Sequence, residues 1–410
     1  MSLSEILIDV QTNWMLYCAM PLIACGIGYV TKIIAIRMMF QPLDFVGIKP
    51  WLGWQGIIPS KAGVMAGIMH DTLTKRLIKP ADIFGRLDPR RVANEIEQPL
   101  LTAVEEITRE VMAHHRPGLW DGLPTVLKNR LIQRIQAEAP AAVEGMMRDI
   151  QGNIENVFDL KEMMVSQLSR DRELLNRIFQ QAGRGEFQFI RNSGLYFGFA
   201  IGCVQAVAWA LTHSPWIMPL FGGFVGWFSD WMALKMVFSP REPKRYFGLF
   251  TWQGLFLKRR KEVAVEYGAL IADEVITARN IFAAALRGPL SDRLFNLIQK
   301  HVQSMVDEQA GLAQPLVVFA VGSTPYRQMK VDIAAKLIER LPATLKHVEK
   351  YADDAMDVRN TLIKKMQEMT AEEFEGVLRP VFEQDEWKLI AVGAVLGFLV
   401  GELQVQMMLH

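Results

Sequence analysis

Residues 28–42 read GYVTKIIAIRMMFQP, and residues 226–240 read GWFSDWMALKMVFSP. Both stretches run from a glycine through a hydroxyl residue to the same pattern of alanine, cation, methionine, phenylalanine and proline, 198 positions apart (226 − 28). The spacing persists at residues 54–56 and 252–254, which both read WQG. A repeat of about 200 residues therefore covers the chain, and the fold has to be understood as two equivalent units.

A glycine-rich block closes each copy. In both blocks the glycines are four residues apart and a glutamine follows, and the second block lies 199 positions after the first (393 − 194). The members are Gly194, Gly198, Gly202 and Gln205 in the first block and Gly393, Gly397, Gly401 and Gln404 in the second. We assign residues 1–212 to repeat 1 and residues 213–410 to repeat 2.

Charge is distributed unevenly along the chain, although the net charge is only +1 over 410 residues. All 45 lysines and arginines lie between Lys32 and Arg191 or between Lys235 and Lys388. The cation-free regions are also the most apolar, and the mean hydropathy of the chain is +0.14. Apolar segments with cations confined to the regions that connect them are typical of membrane proteins.

Four segments are predicted to cross the membrane, since a span needs about 20 apolar residues. They are residues 13–31, 193–211, 215–232 and 389–408. The polar regions between them, 41–189 and 239–387, carry apolar residues at helical spacing and no convincing alternating strand pattern. The predicted fold class is an all-α integral membrane protein with two parallel repeats, each composed of a span, a helical domain and a span.

The motif Gly-x-x-[Thr/Ser]-x-x-x-Ala-x-[Arg/Lys]-Met-x-Phe-x-Pro, with the later Trp-Gln-Gly and glycine block, resembles a bacterial membrane family. This family is catalogued as domain of unknown function 445, and the resemblance covers nearly the whole chain in two tandem copies. The family more often has Thr-Asn where this chain has Thr31-Lys32 and Ser229-Asp230. The resemblance implies a bacterial inner-membrane protein and supplies no catalytic residues.

The position of the cations predicts the topology of the chain. Because cations accumulate on the cytoplasmic side, we expect both helical domains in the cytoplasm and both termini outside it. The protein is then a multi-pass protein of the bacterial inner (plasma) membrane.

The glycine blocks are interpreted as helix-packing faces. Glycines at positions i, i+4 and i+8 leave one side of a helix without side chains, which permits close approach of a second helix in lipid. The alternative is a substrate groove along the same face.

Five polar residues fall inside or beside the predicted spans. Lys32 and Asp230 are equivalent positions with opposite charge, so they form a pair if the repeats pack around a pseudo-twofold axis. The alternative is that each extends separately to the headgroups. Glu402 lies well inside the last span, with Gln404 beside it and Gln205 at the equivalent position, and a carboxylate there is a candidate for proton relay or substrate contact. The alternative is that Glu402 reaches the outer interface, because the span ends soon after it.

A lipid interface is predicted after the spans. Trp54 and Trp252 have rings suited to the headgroup region, and the cationic run Lys258-Arg259-Arg260-Lys261 suits anionic lipid. The alternative is an ordinary solvated helix start. Nucleic acid is a poor partner, because no broader cationic surface accompanies the run.

Catalytic motifs are absent from the sequence. There is no P-loop, no Gly-x-Ser-x-Gly, no His-Glu-x-x-His and no metal-spaced cluster of Cys and His. We therefore expect a non-enzymatic protein without cofactor or metal, acting as a membrane-anchored helical scaffold or lipid-handling protein at the cytoplasmic face. A small oligomeric transporter or channel is the alternative, and a homo-oligomer or a protein partner is compatible with either.

Overall fold

The computed structural model describes residues 3–48, 52–115, 117–122, 124–246, 248, 250–310, 323–383 and 386–409, and this part of the chain is mostly helical. The helices of the first half are α1 (Leu3–Thr12), α2 (Trp14–Phe40), α3 (Ile57–Ser60), α4 (Ala62–Arg76), α5 (Pro80–Phe84), α6 (Pro89–Glu95), α7 (Glu97–His115), α8 (Pro117–Gly122), α9 (Thr125–Gly152), α10 (Ile154–Val157), α11 (Leu160–Arg170), α12 (Arg172–Ala182) and α13 (Arg184–Thr212). Those of the second half are α14 (Ile217–Phe238), α15 (Leu255–Lys258), α16 (Arg260–Leu270), α17 (Ala278–Arg287), α18 (Ser291–Ala310), α19 (Ser323–Leu345), α20 (Glu349–Met356), α21 (Val358–Glu368), α22 (Ala371–Glu383) and α23 (Glu386–Leu409). A π-helical turn, Ile271–Val275, follows α16.

Two short β-hairpins depart from the all-helical expectation. Strands β1 (Val46–Ile48) and β2 (Leu52–Trp54) pair antiparallel after α2, and β3 (Lys244–Tyr246) and β4 (Phe250–Trp252) pair antiparallel after α14. The sequence did not reveal these strands, because three residues are too few to establish an alternating pattern. The registers correspond, since Val46 pairs with Trp54 and Lys244 pairs with Trp252, in both cases 198 positions apart.

Three of the described helices are long and apolar enough to cross a membrane, namely Trp14–Phe40, Arg184–Thr212 and Glu386–Gln406. They contain most of the predicted spans 13–31, 193–211 and 389–408. Helix α14 holds most of the predicted span 215–232 but is not among the three. Membrane insertion is therefore supported by three helices, and the fourth span stays a prediction.

The chain forms two compact units whose boundaries differ from those of the predicted domains. The first unit contains residues 1–69, 168–270 and 363–410, and the second contains residues 70–167 and 271–362. Each unit therefore takes segments from both halves of the chain, whereas the sequence predicted one helical domain, 41–189 or 239–387, for each repeat.

The first unit is built on the long helices. Helix α2 packs against α13, α14 packs against α23, and α13 packs against α14. The backbone then turns in the same way after α2 and after α14. The N–H of Gly56 donates to the carbonyl of Pro42 at 2.9 Å, and the N–H of Gly254 donates to that of Pro240 at 3.0 Å. These bonds hold each hairpin against the end of its long helix.

Candidate functional site

The glycine blocks lie at the closest contacts between the long helices. Those on α13 face α2, and those on α23 face α14. The facing pairs are Gly194–Gly28, Gly198–Ala24 and Gly202–Pro21 in the first half, and Gly393–Gly226, Gly397–Gly222 and Gly401–Met218 in the second. A methyl group added to any of these glycines would overlap backbone atoms of the facing helix or, at Gly393, the Asp230 carboxylate. The helices approach this closely because the glycines have no side chain.

Lys32 and Asp230 meet across the two halves of the chain. Lys32 Nζ on α2 forms an ion pair with Asp230 Oδ1 on α14, although the residues are 198 positions apart. Lys32 is fully buried, and Asp230 is 5% exposed. Each member lies beside a glycine of its own repeat, Lys32 beside Gly194 and Asp230 beside Gly393. The ion pair therefore connects the two glycine contacts.

The second oxygen of the Asp230 carboxylate has no hydrogen-bond partner in the part of the chain that the structure describes. Asp230 Oδ2 is buried, and no donor among the described residues reaches it. The neighbouring hydroxyl groups bond within their own helices, since Thr31 Oγ1 donates to the carbonyl of Ile27 at 2.9 Å and Ser229 Oγ donates to that of Gly226 at 3.4 Å. One ion pair is thus the main compensation for burying this carboxylate.

The other polar residues that were predicted to lie in the membrane differ in their burial and hydrogen bonding. Gln205 is buried, and its Nε2 donates to the sulfur of Met218 at 2.8 Å. Gln404 is buried, and its Nε2 has no partner among the described residues. Glu402 is half-buried and makes no side-chain hydrogen bond or ion pair within the described part of the chain. Polar groups at this depth are therefore only partly satisfied.

A cleft opens at the carboxyl end of α2, and a second opens at that of α14. The first has a volume of about 700 Å³, and the second has a volume of about 1160 Å³. Their walls correspond at a spacing of 198 positions, because Arg37, Pro42 and Trp54 line the first and Lys235, Pro240 and Trp252 line the second. The two halves thus form the same kind of cleft with different polar groups.

The two tryptophans differ in how their indole N–H groups are used. Trp54 Nε1 donates to the carbonyl of Met38 in the last turns of α2, at 3.2 Å. Trp252 Nε1 is buried and has no partner among the described residues, while its ring packs against Phe189 with a centroid distance of 6.0 Å. A buried indole N–H usually finds an acceptor, so the Trp252 side chain in the wall of the second cleft keeps a donor that is not used within the described part of the chain.

The second cleft also carries more positive charge than the first. Its lining cations are Lys235, Arg241, Lys244 and Arg379, and its lining carboxylates are Glu242 and Glu372. The first cleft has Arg37 and Asp44, and Asp44 Oδ1 accepts from Arg172 at 2.7 Å.

The cationic run is only partly available to a partner. Arg259 Nη1 lies 3.3 Å from Glu186 Oε1, and Arg259 Nε donates to Glu262 Oε2 at 2.8 Å. Lys258 and Lys261 are exposed, and Arg260 is half-buried. The guanidinium of Arg259 is thus occupied by carboxylates, while its neighbours face solvent to different degrees.

Sequence reasoning missed a set of ion pairs between α7 and α19. His115 Nε2 lies 2.6 Å from Asp332 Oδ2, and Glu110 accepts from Lys336 at 2.6 Å and from Arg340 at 2.8 Å. The hydrogen bond from Lys336 is the largest of the effects that lower the pKa of Glu110. These contacts join residues more than two hundred positions apart, for which the sequence offers no local signal.

No group of three or more metal-ligating side chains occurs among the described residues.

Comparison with known proteins agrees with a membrane location. A protein of Lysinibacillus sphaericus (strain C3-41), named UPF0754 membrane protein, is 22% identical over an alignment of 406 residues that covers 94% of this chain and 96% of the relative. A UPF0754 membrane protein of Bacillus thuringiensis (strain Al Hakam) is 26% identical over 133 residues, or 32% of this chain and 35% of the relative. The chain is similar to bacterial membrane proteins.

The comparisons support a coarser assignment than the sequence motifs suggested. No protein-family model and no solved structure matches the chain. The resemblance to domain of unknown function 445, and its presence in two tandem copies, therefore receive no support from them. The relatives indicate a bacterial membrane family whose activity is unknown.

Proposed function

We propose that this membrane protein handles lipid at the cytoplasmic face and that its second cleft binds an anionic phospholipid headgroup. The observation on which this proposal rests is the set of cations that lines the second cleft beside Trp252, whose buried N–H has no partner among the described residues. A phosphate is a counter-ion for the surrounding ammonium and guanidinium groups, and one of its oxygens accepts from the Trp252 N–H if the ring turns toward the cleft.

The charge of the cleft supports an anionic ligand. Four cations and two carboxylates line it, which leaves a formal charge of +2 (4 − 2). Arg241 and Arg379 both pair with the buried carboxylate of Glu375, and Arg241 Nε lies 2.6 Å from Glu375 Oε2. Lys235 lies over the ring of Trp231 at 4.8 Å, and Lys244 is exposed, so these two ammonium groups are the candidates for direct contact with a phosphate.

The position of the cleft supports a headgroup over a free phosphate compound. The equivalent cleft opens at the end of α2, which is long and apolar enough to span the membrane. If α14 is the fourth span, its carboxyl end and the second cleft lie at the same membrane surface. Tryptophans and cations are the residues that favour this boundary.

The remaining helical parts fit a non-enzymatic scaffold. In this proposal the second compact unit provides a helical surface that the first unit anchors to the membrane. A protein partner or a second copy of the chain would bind there.

The transporter or channel alternative draws on Lys32, Asp230 and Glu402, because ionisable groups at membrane depth often belong to transport paths. Lys32 is fully buried and paired, and glycine contacts close the helices on both sides of the pair. An aqueous path along these residues would require a different conformation, which makes this the second candidate.

The test measures lipid affinity of the full-length protein by native mass spectrometry in detergent. Phosphatidylglycerol is compared with phosphatidylcholine for the wild type and for the double variant Lys235→Gln/Lys244→Gln. Each cation near an anionic surface contributes about 1 kcal/mol, so the variant should bind phosphatidylglycerol roughly 30-fold more weakly. Affinity for phosphatidylcholine should be unchanged.

A matched control removes the same charge elsewhere. Lys346→Gln/Lys350→Gln changes two exposed lysines of the second compact unit and should leave phosphatidylglycerol binding intact. A further variant, Lys258→Gln/Arg260→Gln/Lys261→Gln, tests the cationic run and should weaken binding as well. Equal affinity of the wild type for both lipids would contradict the proposal and favour the scaffold or the transporter.

A further inference from the structure

The second compact unit contains a ring of four helices. Helix α7 packs against α9, α9 against α18, α18 against α19, and α19 against α7. Two of these helices come from each half of the chain. The ring is joined on its α7–α19 side by the ion pairs of Glu110 with Lys336 and Arg340.

The four helices of this ring, together with α5, α6, α10 and α17, line an apolar cavity of about 130 Å³. Its wall includes Leu100 and Ala103 from α7, Ile154 from α10, Ile281 from α17 and Ile298 from α18. Of the described residues that line it, Thr344 alone has a polar side chain, and its hydroxyl donates to the carbonyl of Arg340 at 3.2 Å. The cavity therefore offers water or a polar ligand no more than one side-chain acceptor, the Thr344 oxygen.

A cavity of this size is unusual in a protein interior. Cores are normally packed so closely that few voids exceed the size of a water molecule. Water does not stabilise such a site, because a buried water needs two to four polar partners. An apolar ligand would restore the missing contacts of the wall.

We propose that the cavity binds a short hydrocarbon segment. An apolar cavity of about 150 Å³ lined by Leu, Ile and Phe stays dry and accepts benzene or xenon, so this one accommodates a hydrocarbon of about six carbons. The ligand is either the end of a lipid acyl chain or a free apolar molecule of that size. The proposal depends on the lipid-handling function only for the acyl-chain source.

The rim of the cavity is suited to admit such a ligand. Leu337, Leu341 and Leu345 are half-buried and lie at positions i, i+4 and i+8 of α19, so they form one continuous apolar edge. Met146 and Met147 on α9 are also half-buried and line the cavity. Methionine side chains are flexible and adjust to ligands of different shape.

Methyl NMR of the full-length protein in nanodiscs, with labelled isoleucine, tests the site directly. Xenon and benzene are the probes. We expect the methyl signals of Ile281 and Ile298 to shift, while Ile107, which is buried in the same unit but does not line the cavity, keeps its signal. Absence of a shift at both cavity isoleucines would overturn the proposal, and this measurement requires no variant.

A pair of alanine variants on α17 provides the structural control. Ala285 lines the cavity, and Ala283 is exposed on the same helix. Ala285→Leu should fill the space, abolish the xenon and benzene shifts and raise the melting temperature, whereas Ala283→Leu should leave the shifts unchanged. Full shifts in a folded Ala285→Leu variant would place the ligand elsewhere and contradict the inference.

The source of the hydrocarbon is decided by cross-linking in the same nanodiscs. A phosphatidylglycerol with a diazirine at the end of one acyl chain should label Met146, Met147 or Leu341 if membrane lipid enters the cavity. Methyl shifts without labelling would identify a free apolar molecule as the ligand. Lys235→Gln/Lys244→Gln should not alter the methyl shifts, so failure of the headgroup proposal is distinguishable from failure of this one.

Discussion

At the scale of single residues, Lys32 pairs with the residue 198 positions further along the chain, Asp230. Because these two positions correspond in the sequence pattern of the two halves, identical residues would bring like charges together. Opposite charges turn this contact into an ion pair that is almost completely buried. Loss of one partner would leave a buried charge without compensation, and that is strongly destabilising.

We therefore predict that Lys32→Asp and Asp230→Lys each lower the free energy of unfolding by about 3 kcal/mol. The exchanged double variant should recover most of this loss, because it restores opposite charges at equivalent positions. The measurement is reversible unfolding in mixed detergent micelles for the four proteins of the double-mutant cycle. Additive losses in the double variant would mean that the pair contributes no interaction energy.

The two equivalent tryptophans provide a matched test of the second cleft. Trp54→Phe removes a hydrogen bond to Met38 and should cost about 1 kcal/mol of stability. Trp252→Phe removes an N–H that has no partner among the described residues, so loss of the N–H itself should cost little stability while binding of phosphatidylglycerol weakens. Thermal unfolding and native mass spectrometry measure the two effects. Unchanged lipid binding in Trp252→Phe would show that the indole N–H does not contact the headgroup.

The sequence could identify some of these residues but not their geometry. Opposite charge at equivalent positions of the repeat is enough to predict the Lys32–Asp230 pair. The different bonding of Trp54 and Trp252 has no such signal, since both occur in the same Trp-Gln-Gly motif. Whether an indole finds an acceptor depends on the distance to a carbonyl in the preceding helix, which the motif does not encode.

At the scale of helices, the glycine contacts determine how closely the long helices pack. Gly28 faces the backbone of Gly194, whereas Gly26, two residues earlier on α2, is exposed, and an added Cβ there would meet open space. We predict that Gly28→Ala lowers the free energy of unfolding by about 1–3 kcal/mol, because the added methyl group overpacks the contact. Gly26→Ala should be neutral or slightly stabilising, because alanine favours the helix. The corresponding variant of the second half, Gly226→Ala, should behave like Gly28→Ala.

Unfolding in detergent measures these differences. Equal stability of Gly28→Ala and Gly26→Ala would contradict the close contact with Gly194. The glycine spacing predicts such a packing face on α13 and α23, but it cannot name the partner helix. The partners are known only from the structure, in which α13 packs against α2 and α23 packs against α14. The helices of each pair come from opposite ends of one half of the chain.

At the scale of the whole molecule, the compact units do not coincide with the repeats. The first unit combines the long helices of both halves, and the second combines the polar helices of both halves. A sequence repeat shows which segments are equivalent, but the same pattern is compatible with packing within a copy or between copies. The ring of α7, α9, α18 and α19 uses both kinds of packing, because α7–α9 and α18–α19 pack within one half, whereas α9–α18 and α19–α7 link the two halves.

The orientation in the membrane gives the last prediction. All 45 lysines and arginines lie between Lys32 and Arg191 or between Lys235 and Lys388, so none lies in the three most apolar regions of the chain. The positive-inside rule then places residues such as Gln151 in the cytoplasm and both termini outside it, which requires α14 to be the fourth span. An alkaline phosphatase fusion after His410 should therefore be active, and a fusion at Gln151 should be inactive. With three spans alone, the two termini would lie on opposite sides of the membrane. An alkaline phosphatase fusion that is active at the N-terminus and inactive after His410 would therefore exclude the four-span topology.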